Sequence, residues 1–80
     1  MKAKVHITLK SGVLDPQGKA VQHALTGLGF AGVQDVRLGK VVELELDETD
    51  ADAARAALDK MSKALLANTV IENYRIELVG

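Results

Sequence analysis

The sequence predicts an α+β domain, a two-layer β-α-β-α-β sandwich with its helices on one face of a largely antiparallel sheet. Three observations carry that expectation. Three stretches alternate apolar and polar residues, two stretches between them show helical spacing, and Gly, Asp-Pro and Asn fall at the junctions. With 80 residues there is room for one domain over 1–80, with no repeat, linker or low-complexity segment.

In the first stretch Ala3, Val5, Ile7 and Leu9 alternate with Lys4, His6, Thr8 and Lys10, the period of a strand with one buried face. Ser11-Gly12 breaks it. Asp15 before Pro16 reads as an N-cap followed by proline at the first helical position. Ala20, Val21, Ala24, Leu25 and Leu28 make one stripe of this helix, and Gly29 suits a left-handed stop.

From Gly32 to Asp47, Val36, Leu38, Val42, Leu44 and Leu46 share one phase, opposite Asp35, Arg37, Glu43 and Glu45. Gly39-Lys40 sits in the middle, with Lys40 on the nominally apolar face. Either that pair is a tight turn between two short strands, or one long strand bends there. A hairpin would make the order the related ferredoxin-like β-α-β-β-α-β. The unbroken phase and the poor turn chemistry of Gly-Lys favour the long bent strand. Such a strand outruns its neighbours, and dimerisation that completes the sheet is its simplest cover.

Thr49 and Asp52 form an approximate capping box, and the acidic residues from Asp47 to Asp52 suit a helix N-terminus. Ala51, Ala54, Leu58, Met61 and Leu65 then give the apolar face of a second helix, with Asn68 as a left-handed cap. Tyr74, Ile76 and Leu78 alternate with Arg75 and Glu77 as the last strand.

Composition narrows the function. Phe30 and Tyr74 are the only aromatics, so the core is aliphatic. A domain of this size buries only roughly 60–65% of its unfolded surface. Cysteine is absent, which removes disulfides, thiolate nucleophiles and cysteine-based zinc sites. Association is the remaining support for so small a core. A net charge of −1 lacks the basic footprint of a nucleic-acid binder. No apolar run approaches the roughly 20 residues that span a bilayer, and MKAKVHITLK lacks a signal-peptide core. A soluble, cytoplasmic chain is expected.

Gly12, Gly18 and Lys19 superficially suggest a phosphate loop. The gap between the glycines is one residue too long for G-x-x-x-x-G-K-[ST], and Ala20 replaces the hydroxyl that would hold magnesium. Asp15 puts a carboxylate where the phosphate should sit, and Pro16 removes an N–H donor. A capped helix entry explains these residues without a ligand.

Other chemistry is equally sparse. His6, on the polar face of the first strand, and His23, beside the helical stripe, have no metal or catalytic spacing. Glu43, Glu45 and Asp47 could converge on a cation, although such a row is more often a solvated face or meets Lys and Arg. Glu48, Asp50 and Asp52 lack the glycine and distal glutamate of a calcium loop. No Ser, Thr or Lys has an activating partner in sequence. The expectation is no catalytic, cofactor-binding or metal residue.

Three blocks together resemble one family. LKSGVLDPQGKAV (Leu9 to Val21), DVRLGK (Asp35 to Lys40) followed by VELEL (Val42 to Leu46), and LLANTVIENY (Leu65 to Tyr74) look like PurS, the small subunit of phosphoribosylformylglycinamidine synthase. The resemblance covers essentially the whole chain, in order. It implies a subunit of an ATP- and glutamine-dependent C–N ligase of de novo purine synthesis. ATP, magnesium and glutamine would be used by the complex and not bound by this chain. The implied partners are a second copy, in a dimer or tetramer, and the PurL synthetase and PurQ glutaminase subunits, between which ammonia passes. Asp15-Pro16-Gln17-Gly18 resembles the family's D-P-x-G block, near which a subunit contact is expected. Arg37 and Lys40 flank Gly39 at the bend and are the expected polar contacts. Gly18 in a first turn is unfavourable by about 1 kcal/mol against alanine, tolerable if another chain approaches closely.

The rival reading is an ACT-like regulatory module, which shares the ferredoxin-like order, with its glycine-containing turn after the first strand at Ser11-Gly12-Val13-Leu14, and which would bind an amino acid at a dimer interface. A stand-alone small enzyme would need His6 or the Glu43/Glu45 row organised into a pocket.

Overall fold

The computed structural model describes residues 1–79. Strict alternation makes β1 (Lys2–Leu9) the centre of a three-stranded antiparallel sheet, between β2 (Gly39–Glu45) and β3 (Glu72–Leu78), in the order β2-β1-β3. Val5 stands opposite Val42 on one side and Ile76 on the other, so apolar residues of all three strands share one face. On it Ala3, Val5 and Ile7 are buried, and Tyr74, Ile76 and Leu78 pack around them. Fully burying a Val or Ile side chain contributes about 1.5–3 kcal/mol, so this row is the main apolar stabilisation.

Two helices follow the expected order, α1 (Pro16–Gly27) and α2 (Ala51–Met61). Asp15 is the N-cap of α1 with Pro16 in the first turn, and Gly29 ends that segment at φ +98°. Gly12 takes φ +89° in the turn after β1. α2 packs on β3 and sends Ala54 and Leu58 into the core.

The sandwich has one helix over the sheet, not two. Among the described residues Gly18 alone of α1 is buried, and Val21 and Leu28 of its predicted stripe are exposed. The molecule is accordingly extended, 48 × 26 × 14 Å, with a radius of gyration of 15.9 Å against about 12 Å for a compact chain this long.

The expected long bent strand over Gly32 to Asp47 is corrected to Gly39–Glu45. β1 ends at Leu9, and its Thr8 already faces Gly39, so residues 33–38 have no strand in this chain to pair with. Gly39 and Lys40 are not a hairpin turn either, since both lie in β2 opposite Thr8 and Ile7.

The second helix departs from expectation at both ends. Its cap is Asp50, whose carboxylate accepts the Ala53 N–H, and not Thr49. A π-helical turn at Ser62–Leu66 then inserts an extra residue and rotates the apolar phase. Ser62 becomes buried, donating its hydroxyl to the Leu58 carbonyl at 2.8 Å, while Leu66 packs on the core and Leu65 turns outward. Ala51 and Met61, also expected inward, are exposed. Asn68 is not left-handed, for no non-glycine among the described residues has positive φ. It starts a turn instead, its Oδ1 accepting the Val70 N–H and its carbonyl the N–H groups of Ile71 and Glu72.

Candidate functional site

The residues singled out for subunit contact meet at one junction, where the start of α1, the run 33–38 and the start of β2 come together. Its organiser is the Asp15 carboxylate. Oδ1 accepts the Gly18 N–H at 2.8 Å, the bond of an N-cap, while Oδ2 accepts the Leu38 N–H at 2.8 Å. Asp15 is 5% exposed, and both oxygens have partners. The Leu38 N–H, then the Gly18 N–H, with a smaller share from the Arg37 guanidinium, hold its carboxyl below the ordinary aspartate value against the opposing effect of burial.

Gly18 closes the junction from the helix side. A Cβ there would collide with the Val36 carbonyl and lie 2.9 Å from Asp15 Oδ2. The close approach that glycine permits is therefore by this chain's own backbone. Further along, Gln22 donates to the Gln34 carbonyl at 2.9 Å, so the run ahead of β2 lies along α1. Arg37 reaches back to the Lys10 carbonyl at 3.1 Å, and Lys10 donates its N–H to Ile71 at 2.8 Å. The ends of β1 and the entry to β3 are thus joined to the same region.

Of the expected residues, Asp15 and Gly18 face inward, while Pro16, Gln17, Arg37, Gly39 and Lys40 are exposed. Asp15, Gln17, Gly39 and Lys40 line a shallow depression of about 290 Å³ with Ile7, Leu9, Leu38 and Glu72. Arg37 lines a neighbouring hollow with Ser11, Gly12 and Asp35. Sequence reasoning missed the backbone groups of Val36 and Leu38, because main-chain donors and acceptors carry no residue signature. The D-P-x-G spacing was the available signal, and it marked only the carboxylate end.

Elsewhere the polar groups have structural partners. His6 Nε2 lies 2.9 Å from Glu77 Oε1 on the open face of the sheet, and His23 is exposed. The His6 hydrogen bond, and then the charges of His6, Lys4 and Arg75, hold Glu77 below its ordinary value. Glu43 and Glu45 stand opposite Lys4 and Lys2. Tyr74 donates its hydroxyl to Asp59, and Lys63 lies 3.0 Å from the other carboxylate oxygen, fastening α2 to β3. The tyrosine bond, then Lys63, lowers the Asp59 carboxyl, and the same bond raises Tyr74. Among the described residues no group of three His, Asp or Glu could hold a metal ion, and no helix is long and apolar enough to cross a membrane.

A half-covered sheet, a helix whose stripe is exposed and a junction made of backbone clamps define a small α+β chain that leaves much of its apolar surface uncovered. The family model for PurS, described as phosphoribosylformylglycinamidine (FGAM) synthase, matches residues 2–80, and the chain belongs to that family. The PurS subunit of Bacillus subtilis is 52% identical over 77 residues, covering 96% of this chain and 90% of that one. The solved B. subtilis PurS, in its C2 crystal form, matches with a TM-score of 0.84 at 53% identity, covering 95% of this chain and 94% of that one. A chain of PurLQS from Thermotoga maritima matches with a TM-score of 0.87 at 29% identity, covering 95% and 93%. These full-length matches set aside the ACT-like alternative.

Proposed function

We propose that this chain is the assembling subunit of phosphoribosylformylglycinamidine synthase. It self-associates, links the PurL synthetase to the PurQ glutaminase, and supports passage of ammonia between them in the cytoplasm. ATP, magnesium and glutamine are used by its partners. The exposed residues of the junction, Gln17, Arg37, Gly39 and Lys40 with Pro16 beside them, make the subunit contact, and Asp15 and Gly18 hold that surface in shape.

The observation that carries this reading is surface. The chain exposes 5604 Å², where a compact monomer of its mass exposes about 4,700 Å². The excess of about 900 Å² is close to what one partner contributes to a standard interface, about 800 Å². Much of it is apolar: Leu14, Leu28, Leu65 and Val70 are each more than 70% exposed. Isolated apolar residues on a surface are ordinary, but this many large ones on so small a chain point to partners.

Sedimentation velocity of PurL and PurQ, with and without the chain, tests the linking role. A faster boundary containing all three, formed only when the chain is present, is expected. A PurL–PurQ complex that forms equally well without it contradicts the proposal.

A further inference from the structure

One end of the sheet carries charge on its core-facing side. Lys40 stands opposite Ile7 and Glu72 opposite Leu9, so both share the face of the buried row Ala3, Val5 and Ile7. Between them lies the depression of about 290 Å³, floored by Ile7, Leu9 and Leu38. It is shallow and falls at the lower edge of the range for small-molecule sites, about 300–1,000 Å³. Such a hollow suits an anchoring side chain of a larger partner.

The charged side chains around it are not equivalent. Asp15 is buried and gives both oxygens to main-chain N–H groups, of Gly18 and Leu38. Glu72 is half-buried, and its Oε1 accepts the Asn68 N–H at 2.7 Å. In the adjoining hollow Asp35 gives Oδ1 to the N–H of Val36. Lys40 and Arg37 are exposed, and neither pairs with a carboxylate among the described residues. The acids are thus committed to this chain's own backbone, and the charges left open to a partner are cationic.

We infer that the hollow takes an acidic segment of a partner subunit, PurL or PurQ. An apolar side chain of that segment sits on Ile7, Leu9 and Leu38, and a neighbouring Asp or Glu meets Lys40. The apolar anchor supplies affinity, and the ion pair fixes register and rejects partners of the wrong charge. This names the chemistry of the contact proposed above and rests on the linking role.

Sedimentation velocity titrations of PurL and PurQ with variants of the chain test it. Lys40→Glu should weaken complex formation tenfold or more. Lys40→Arg, which keeps the charge, and Lys60→Glu, at an exposed position of α2, should bind like the unaltered chain. Raising sodium chloride from about 0.05 to 0.5 M should weaken the unaltered complex more than that of Lys40→Ala. A second readout uses no variant: after carbodiimide treatment of the complex, peptide mapping should find Lys40 joined by an amide to an Asp or Glu of PurL or PurQ. An unaltered chain that fails to join PurL and PurQ would overturn the linking role itself. Complex formation by Lys40→Glu as tight as that of the unaltered chain would overturn the acidic segment and leave the linking role standing. A Lys40 crosslink to a second copy instead, or loss of self-association in Lys40→Glu, would give the hollow to that copy and overturn the inference.

Discussion

Asp15 Oδ2 accepts the backbone N–H of Leu38, a residue 23 positions downstream, at 2.8 Å. One carboxylate thus fixes both the start of a helix and the approach to a strand. Its lowered pKa gives this link a sign. A depressed folded pKa contributes stability that is present above the unfolded value, near pH 4, and is lost as pH falls through the folded value. Asp15→Asn keeps one acceptor and loses the charge. It should melt several degrees below the unaltered chain at pH 7, with the gap narrowing on acidification below about pH 4. Melting curves from pH 7 to pH 2.5 check this, and a gap that stays constant contradicts it.

Two glycines of α1 should respond oppositely to alanine. At Gly18 the new methyl meets the Val36 carbonyl, a backbone atom that cannot move aside cheaply. Overpacking of this kind destabilises by about 1–3 kcal/mol. At Gly27 a Cβ meets nothing within 4 Å, and the gain in helix propensity is up to about 1 kcal/mol. Urea melts of the two variants should shift in opposite directions, and a stabilised Gly18→Ala would remove the close approach from the account.

The π-helical turn makes a similar pair of adjacent leucines. Leu65 is 84% exposed, so Leu65→Ala should change stability by less than about 0.5 kcal/mol. Leu66 packs on the core, and its truncation should be unfavourable by about 2 kcal/mol. The reverse order would mean that α2 continues as a regular helix through Ser62.

These cases show what the sequence made legible. The alternation of β1 and β3, the Asp15-Pro16 entry and the Gly29 stop were readable, because each is set by residue type over a few positions. The rotated end of α2 was not, since buried Ser62 and exposed Leu65 invert the usual polarity. Strand length in β2 depends on where β1 stops offering partners, and local phase does not report that. The junction was half legible: its carboxylate stood in the D-P-x-G block, while the Val36 and Leu38 main-chain groups it meets have no signature. The position of α1 was hidden too, because its apolar stripe reads the same whether or not it packs on the sheet of its own chain.

Arg37 and Lys40 are the polar residues assigned to subunit contact. Lys40→Ala should leave the melting temperature nearly unchanged, since the side chain is exposed. Arg37→Ala should lower it slightly by releasing the Lys10 carbonyl. Combined, they should weaken complex formation with PurL and PurQ by tenfold or more in a titration followed by sedimentation. Unchanged self-association and unchanged complex formation would remove both from the interface.

The most direct measurement of the assembling role is glutamine-dependent formation of formylglycinamidine ribonucleotide by matched PurL and PurQ, with ATP and magnesium, with and without this chain. Turnover that appears only on adding the chain, with none from the chain alone, is the expected result. Turnover by PurL and PurQ that the chain leaves unchanged, with both shown competent alongside another PurS, is the result that contradicts it.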